Sequence, residues 1–301
     1  MFALLFAALA SPALPAFGEE TEVSFAYVPA PSVEQVVVDQ PLGRLTVRGW
    51  DRPEVRIAAT KRAPSHGGLD RLRVRVDLKD GRVEIVTGVR VGDALRSIPS
   101  DVGYIIDLAV DAPSGAQIRA STFDGDLDVV GLRAGAELRS TGGAIHATDI
   151  DGPVHSTATH GRTRLAAIRG NVTAEALRGD LELDSIEGAV LHASLVEGAV
   201  TGRRIRARAV EIVVAHGDIE LGGAMPIGGR WALRAPVGRA RVQLDRVSMS
   251  LVLHAERGIA APSLFAKGTA PAKDLRLAKP GSARLLDVQV AGELELVETA
   301  P

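Results

Sequence analysis

Three arginines at alternate positions form a compact cluster of like charge. Arg204, Arg206 and Arg208 are separated by single apolar residues. Successive side chains of a β-strand point to opposite faces, so we expect these guanidinium groups to project from one face. Guanidinium groups bind carboxylate and phosphate oxygens through paired hydrogen bonds, so the spacing predicts an anion- or glycan-binding site. The alternative is a solvated face whose arginines pair with neighbouring acids such as Glu182 or Glu220.

Several histidines and aspartates lie close to glycines in the central part of the chain. They are His146, His155, His160 and His216, and Asp126, Asp180 and Asp218. The histidines fall in different repeat units, whereas a metal ion needs ligands that converge to within about 2 Å of it. Most units also lack the paired glycines and aspartate of calcium-binding repeats. We therefore predict no metal and no other cofactor.

No catalytic motif accompanies these residues. The sequence contains no Gly-x-Ser-x-Gly, no His-Glu-x-x-His, no phosphate loop and no dinucleotide fingerprint. It has no cysteine, which excludes disulfides, thiolate zinc sites and a lipid-anchored N-terminal cysteine. The formal net charge of -2 provides no field that would steer nucleic acid. We predict a protein that is not an enzyme and does not bind nucleic acid.

A glycine returns about every nine residues within residues 121–221, and this repeat must position the candidate residues. From Gly143 to Gly188 every step is nine residues, and Arg208 is predicted to replace a glycine that is missing after Gly198. Apolar residues tend to follow the glycine by two and four positions, which is typical of a half-buried strand. Residues at the seventh position after the glycine are expected to point inward from a turn. They are Leu132, Ile150, Ile168, Leu177, Ile186 and Leu195.

A unit of this size cannot bury its apolar face alone, whereas stacked units can. The repeat therefore predicts an all-β fold, a parallel β-solenoid or β-helix with capping strands at both ends. Right-handed coiling is expected from the usual preference of parallel crossovers. Whether a coil takes two units or three stays open. An antiparallel meander is the alternative, but the Asn-Gly and Asp-Gly signals of tight hairpins are few.

The repeats and their flanks resemble a bacterial family of unknown function that is known as putative adhesin. The resemblance lies in the Gly-x-[Val/Ile/Leu]-x-[Val/Ala/Leu] units, in residues 43–55 with their Gly-Trp-Asp, and in residues 104–113, a strand that ends in proline. It covers most of residues 33–225. Members of that family are exported or membrane-linked β-solenoid proteins, and the resemblance implies the same for this chain. It implies no catalytic residues.

The ends of the chain predict its domain organisation. Residues 2–10 are uninterruptedly apolar, and small residues and prolines follow them, which indicates a signal peptide over 1–18 with cleavage after Ala16 or Gly18. An apolar strand or helix of the fold is the alternative. We expect a single domain over 19–301, with N-terminal strands in 19–112, regular repeats in 113–225, and C-terminal strands and a cap in 226–301. No later run approaches the ~20 apolar residues of a membrane span.

Three further features are interpreted from local composition. Trp50 is either a sugar-stacking platform or, by the simpler interpretation, a cap on the end of the core. Residues 88–102 and 258–281 are predicted to be loops. Residues 285–297 are predicted to form a last repeat that caps the end of the fold.

These features favour an exported, non-enzymatic protein, periplasmic, cell-surface or extracellular, which acts as an adhesin-like or structural module of the cell envelope. Its partner would be a surface glycan, an envelope polymer or an envelope protein, with no transmembrane anchor after signal cleavage. One alternative is a polysaccharide-acting β-helix enzyme, which needs carboxylates clustered on one outer face. The other is an envelope-stress or regulatory protein that recognises a partner through its loops.

Overall fold

The computed structural model describes residues 7–9, 20–29, 33–92, 94–96, 103–245, 249–260, 272–279 and 282–299. These residues form an all-β protein with one short helix. The chain divides into two compact units, Met1–Gly152 and Pro153–Pro301. The signal peptide over 1–18 stays a prediction, because only residues 7–9 of that segment are described. The single domain over 19–301 also stays a prediction.

The first unit contains thirteen strands and one helix among its described residues. They are β1 (Ala7–Leu9), β2 (Glu20–Pro29), β3 (Gln35–Leu42), β4 (Leu45–Trp50), β5 (Glu54–Ala63), α1 (His66–Leu69), β6 (Leu72–Lys79), β7 (Arg82–Val91), β8 (Ala94–Arg96), β9 (Ile105–Pro113), β10 (Gln117–Asp124), β11 (Leu127–Leu132), β12 (Ala136–Ser140) and β13 (Ile145–Asp151). Over all described residues, no helix is long and apolar enough for a membrane crossing.

Two runs of parallel strands form the frame of the first unit. One run is β7–β3–β10–β12 and the other is β9–β4–β11–β13. Strands β6 and β8 pair antiparallel with β7, while β5 pairs antiparallel with β9. Strand β2 then pairs with β5, and β1 with β2, again antiparallel. Both parallel runs therefore end at antiparallel strands on the side of β7 and β9.

The second unit contains twelve strands among its described residues. They are β14 (Val154–His160), β15 (Thr163–Arg169), β16 (Val172–Arg178), β17 (Leu181–Glu197), β18 (Val200–His216), β19 (Ile219–Gly223), β20 (Arg230–Ala235), β21 (Ala240–Asp245), β22 (Ser250–Ala260), β23 (Ala272–Leu277), β24 (Leu285–Val290) and β25 (Leu294–Thr299). All but β23 pair in parallel within this unit.

Neighbouring parallel strands in the repeat region lie two repeats apart in sequence. In the second unit, Val154 of β14 lies opposite Val172 of β16, 18 residues further on. In the first unit, Leu127 of β11 lies opposite Ile145 of β13, also 18 residues on. Consecutive nine-residue repeats therefore belong to different runs of strands, and every second repeat pairs.

Residues with positive φ turn a row of side chains toward the core. These residues are Gly131, Asp149, Ala167, Ser185 and Arg204, with φ between 52° and 77°. The residue after each is fully buried and apolar, namely Leu132, Ile150, Ile168, Ile186 and Ile205. The left-handed backbone lets two consecutive residues escape strict alternation, which is why the seventh position after the glycine points inward here.

The inward prediction is wrong at Leu177, whose side chain is 44% exposed. Its neighbour Ala176 is buried instead and lies opposite the buried Leu195 of the next parallel strand. Strand β16 keeps regular alternation up to this point, without a residue of positive φ, so the inward position falls one residue earlier.

Both predicted loops contain strands. Strand β7 extends to Val91 and β8 covers Ala94–Arg96, so the first part of 88–102 forms an antiparallel pair. In 258–281, β22 continues to Ala260 and β23 covers Ala272–Leu277. Glycine, prolines and the scarcity of large apolar residues made these segments look like loops, but prolines and polar residues also occur at sheet edges.

The last strands of the chain do not lie at the end of the second unit. Strand β24 pairs with β20 on one side and with β22 on the other. Strand β25 likewise lies between β21 and the end of β22. The prediction that residues 285–297 cap the end is therefore wrong, because β22 forms the layer beyond them and pairs there with β23.

Candidate anion-binding cleft

The three predicted arginines all lie on β18 with exposed side chains. Between them, Ile205 and Ala207 are fully buried, as the alternation predicts. Arg204 and Arg206 line a cleft, and Arg208 does not. The structure thus brings together two of the three predicted residues.

The position of the missing glycine is taken by Ala207, so the prediction that Arg208 occupies it is wrong. Gly188 of β17 lies directly opposite Ala207 of β18. Ala207 is fully buried, which a small side chain allows and an arginine would not. The longer spacing in this repeat shifted the sequence-based alignment by one residue.

A β-bulge adds a fourth arginine that the sequence did not single out. The pairing of β18 with β19 is irregular between Gly202 and Ile205. Two residues of β18, Arg203 and Arg204, therefore face one residue of β19, Gly222. Arg204 has φ 52°, and both arginines are exposed. Bulges re-aim side chains in this way, and here Arg203 joins Arg204 on the outer surface.

The cleft that opens over this bulge has a volume of about 540 Å³. Its lining includes Arg203, Arg204, Arg206, Glu187, Gly222 and Gly223. At Gly223 a Cβ atom would lie 2.2 Å from the Ile205 carbonyl oxygen, so only glycine fits. At Gly222 a Cβ atom would make ordinary van der Waals contact, with the Gly202 carbonyl oxygen nearest at 3.8 Å, so a side chain is tolerated there.

Of the arginines that line the cleft, one is held by neighbours and two are not. Arg204 donates from Nη2 to the Asp184 carboxylate and from Nε to Ser185 Oγ at 2.8 Å. In the part of the chain that the structure describes, Arg203 and Arg206 have no side-chain hydrogen bond or ion pair. The predicted pairing with Glu182 is not found, because that carboxylate lies beside other arginines, at 3.5 and 3.8 Å.

The aspartates that follow glycines hold the backbone of the next layer. Asp126, Asp180 and Asp218 each accept a hydrogen bond from a backbone N–H in the neighbouring parallel strand or its turn. The donors are Ala144, Ala199 and Arg239, at 3.1, 3.2 and 2.8 Å respectively. These carboxylates therefore satisfy turn amides that would otherwise lack a protein acceptor.

Replacing Asp180 by alanine should lower the free energy of unfolding by about 1 kcal/mol, because the Ala199 N–H loses its acceptor. Asp180→Asn keeps an oxygen in place and should retain most of the stability. Urea denaturation of both variants tests this expectation. An equal loss in the two variants would show that charge, rather than the hydrogen bond, matters.

The histidines lie apart on the surface. His146, His160 and His216 are exposed and His155 is half-buried. His146 Nδ1 lies 3.2 Å from the Asp128 carboxylate. Among the described residues, no group of three or more histidine, aspartate or glutamate side chains is placed to hold a metal ion.

Trp50 of the first unit has guanidinium groups over its ring. Those of Arg52 and Arg56 lie 5.1 and 5.3 Å from the ring centroid. The indole Nε1 donates to the Glu54 carbonyl at 2.8 Å. Arg56 Nε also donates to Asp111 at 2.7 Å, and this carboxylate raises the pKa of Arg56. These contacts favour a packing role for Trp50 over sugar stacking.

No family model matches the chain, and no curated protein matches it in sequence. Solved structures match over most of its length. A putative lipid binding protein from Parabacteroides distasonis is 9% identical, with 94% of this chain and 96% of that chain covered and a TM-score of 0.44. A putative adhesin from Parabacteroides merdae is 8% identical, with 93% of this chain and 94% of that chain covered and a TM-score of 0.40. A putative cell adhesion protein from Clostridium sporogenes is 11% identical, with 93% of this chain and 100% of that chain covered and a TM-score of 0.24. With TM-scores below 0.5, these similarities carry no conclusion about this chain.

Proposed function

We propose that this chain is an exported, non-enzymatic, adhesin-like module that binds anionic polymers of the cell envelope. In this proposal each unit is a right-handed parallel β-solenoid with two nine-residue repeats per coil. The pairing of strands 18 residues apart, as between β14 and β16, supports that architecture. A stack of hydrogen-bonded strands is a rigid support, and its outward side chains recur at fixed intervals.

The observation that carries the binding function is the pair of arginines without partners, Arg203 and Arg206. Several other arginines on the surface of this unit lie beside carboxylates, as Arg164 does beside Glu182 at 3.8 Å. Two guanidinium groups that make no ion pair among the described residues, at one cleft, favour a negatively charged ligand. A polymer with many such groups can engage several molecules at once, so weak single contacts add up to firm attachment.

The outward charges do not favour the polysaccharide-acting alternative. In the second unit, Glu182 lies beside Arg162 and Arg164, and Glu211 lies beside Arg234 at 3.4 Å. Glycosidic cleavage commonly needs two carboxylates that face each other across a substrate. Here Glu182 and Glu211 face cations, and this arrangement supports solubility and binding rather than hydrolysis.

The full chain should bind a fraction of the cell envelope saturably at low salt and lose this binding at high salt, because exposed charges are screened. The test is a pull-down with fractionated envelope and a panel of neutral and acidic glycans. No saturable binding to any fraction would contradict the proposal. Formation of new reducing ends or unsaturated sugars from an acidic glycan would instead establish the enzymatic alternative.

A further inference from the structure

We infer that the cleft over the β18 bulge binds one oxyanion group, a phosphate or a carboxylate, between Arg203 and Arg206. This inference rests on the proposed function and deepens it, because it names the chemical group and the residues that hold it. It also replaces the predicted set, since Arg208 lies outside the cleft.

The strand pairing fixes the backbone positions from which the side chains of Arg203 and Arg206 extend. Strand β18 stays in register with β17, so that Asp184 lies opposite Arg203 and Glu187 opposite Arg206. On its other side the bulge inserts one residue against β19. Both arginines are thus anchored on a strand that is paired on two sides. A site on such a strand is better ordered than one on a loop.

Arg204 has a different part in the cleft. Its Nε and Nη2 groups already donate to Ser185 and Asp184. Arg204 is therefore a positioning residue, which ties the bulge to β17 and leaves binding to its neighbours. Arg203 and Arg206 keep all their guanidinium donors, and each can offer two parallel N–H groups to a pair of terminal oxygens.

Gly222 of β19 leaves room in the cleft beside the arginines. Gly222 lines the cleft, and a Cβ atom there would meet its nearest atom at 3.8 Å, so a side chain can be added without a clash. The cleft volume of about 540 Å³ exceeds what one ion needs and falls in the usual range of small-ligand sites. It can therefore admit a sugar unit or a polymer end that carries the oxyanion.

The balance of charge in the cleft favours an anion of this kind. Arg204 is paired with Asp184, so Arg203 and Arg206 face a single carboxylate in the lining, that of Glu187, beside the amide of Gln243. Phosphate and carboxylate share the two terminal oxygens that a guanidinium group recognises. The separate arms of the experiment below distinguish these two sources of the same chemistry.

The test is a calorimetric titration of the full chain with inorganic phosphate and, separately, with galacturonate. We expect saturable binding of at least one of them. Arg203→Ala and Arg206→Ala should each weaken it about tenfold, because each removes charge-assisted hydrogen bonds. Arg208→Ala is the matched control, since it removes the same charge from the same strand outside the cleft, and should leave the affinity within about twofold.

A second variant tests the cleft without changing charge. Gly222→Leu adds a large side chain at a residue that lines the cleft, and its Cβ meets no clash, so the chain should fold and lose binding. Binding of neither anion, equal weakening by Arg208→Ala, or unchanged affinity in Gly222→Leu would each overturn the inference.

The outcomes separate the inference from the proposed function. If the chain binds phosphate or galacturonate through the cleft but binds no envelope fraction, the proposed function fails and the inference stands. If envelope binding persists fully in the Arg203→Ala and Arg206→Ala variants and neither anion binds, the inference fails and the proposed function stands.

Discussion

Gly217→Ala should destabilise the second unit by about 3 kcal/mol or more, which places it among the most damaging single substitutions. A Cβ atom at Gly217 would lie 1.8 Å from the carbonyl oxygen of Gly198, a backbone atom that cannot rotate away. Gly217 also has φ +146°, which an alanine rarely adopts. Gly198 is itself packed against the layer before it, with its Cβ position 2.2 Å from the Gly179 oxygen, so the clash cannot be relieved by a small shift.

Gly228→Ala is the matched control for this substitution. Gly228 lies in the same unit and also has positive φ, +76°, but nothing lies within 4 Å of its Cβ position. Gly228→Ala should lower the free energy of unfolding by only about 1 kcal/mol, because it introduces backbone strain without a clash. Thermal and urea unfolding followed by circular dichroism measure both variants. A loss for Gly217→Ala no larger than that for Gly228→Ala would contradict the close contact between layers.

The glycine spacing predicted the strand-and-turn pattern, but the reason for the glycines was only partly foreseen. Positive φ explains Gly198 and Gly217, whereas Gly143, Gly188 and Gly238 are not among the glycines with positive φ. At these three glycines a carbonyl oxygen lies 1.9 to 2.2 Å from the Cβ position, so no side chain fits. That oxygen belongs to a glycine in the preceding layer, and a contact between layers is invisible in a local turn pattern.

The candidate cleft could be predicted in part. Alternation along β18 correctly placed Arg204 and Arg206 on the surface, because strand geometry is local. Alternation from Val200 and Gly202 exposes Arg203, and alternation from Ile205 exposes Arg206; Arg203 was missed because the bulge between them is a relation between two strands. The sequence contained a signal for this irregularity. Ile205 is the seventh residue after Gly198, a position that points inward. The residue before it, Arg204, has positive φ, as Ser185 does before the inward isoleucine of its own repeat.

The order of the C-terminal strands could not be predicted in the same way. Strands β20, β22 and β24 all alternate apolar and polar residues, and any of them can pair with any other on that basis. Their order depends on which pairing buries the most surface over the whole unit. The chain places β24 between the other two, so a late segment completes the sheet and the terminal repeat is internal.

Val288→Asp should therefore lower the free energy of unfolding of the second unit by about 4 kcal/mol, because it buries an unpaired carboxylate. Val288 is fully buried in β24 and lies opposite Leu233 of β20 and Leu253 of β22. Both neighbouring strands lose a packed partner when β24 opens. Urea unfolding gives the loss, and native-state hydrogen exchange should show that the amides of β22 and β24 lose protection together.

Gln289→Asp is the matched control, because it introduces the same acid one position further on the exposed face of β24. Its position is exposed, between Arg234 of β20 and Asp287 of its own strand, so the new charge stays hydrated and the stability should change by less than about 0.5 kcal/mol. If β22 keeps its full protection in Val288→Asp while β24 exchanges, β22 does not depend on β24, and the internal position of the terminal repeat is refuted. If both strands open together, the chain must complete its last repeat before the outer layer is stable.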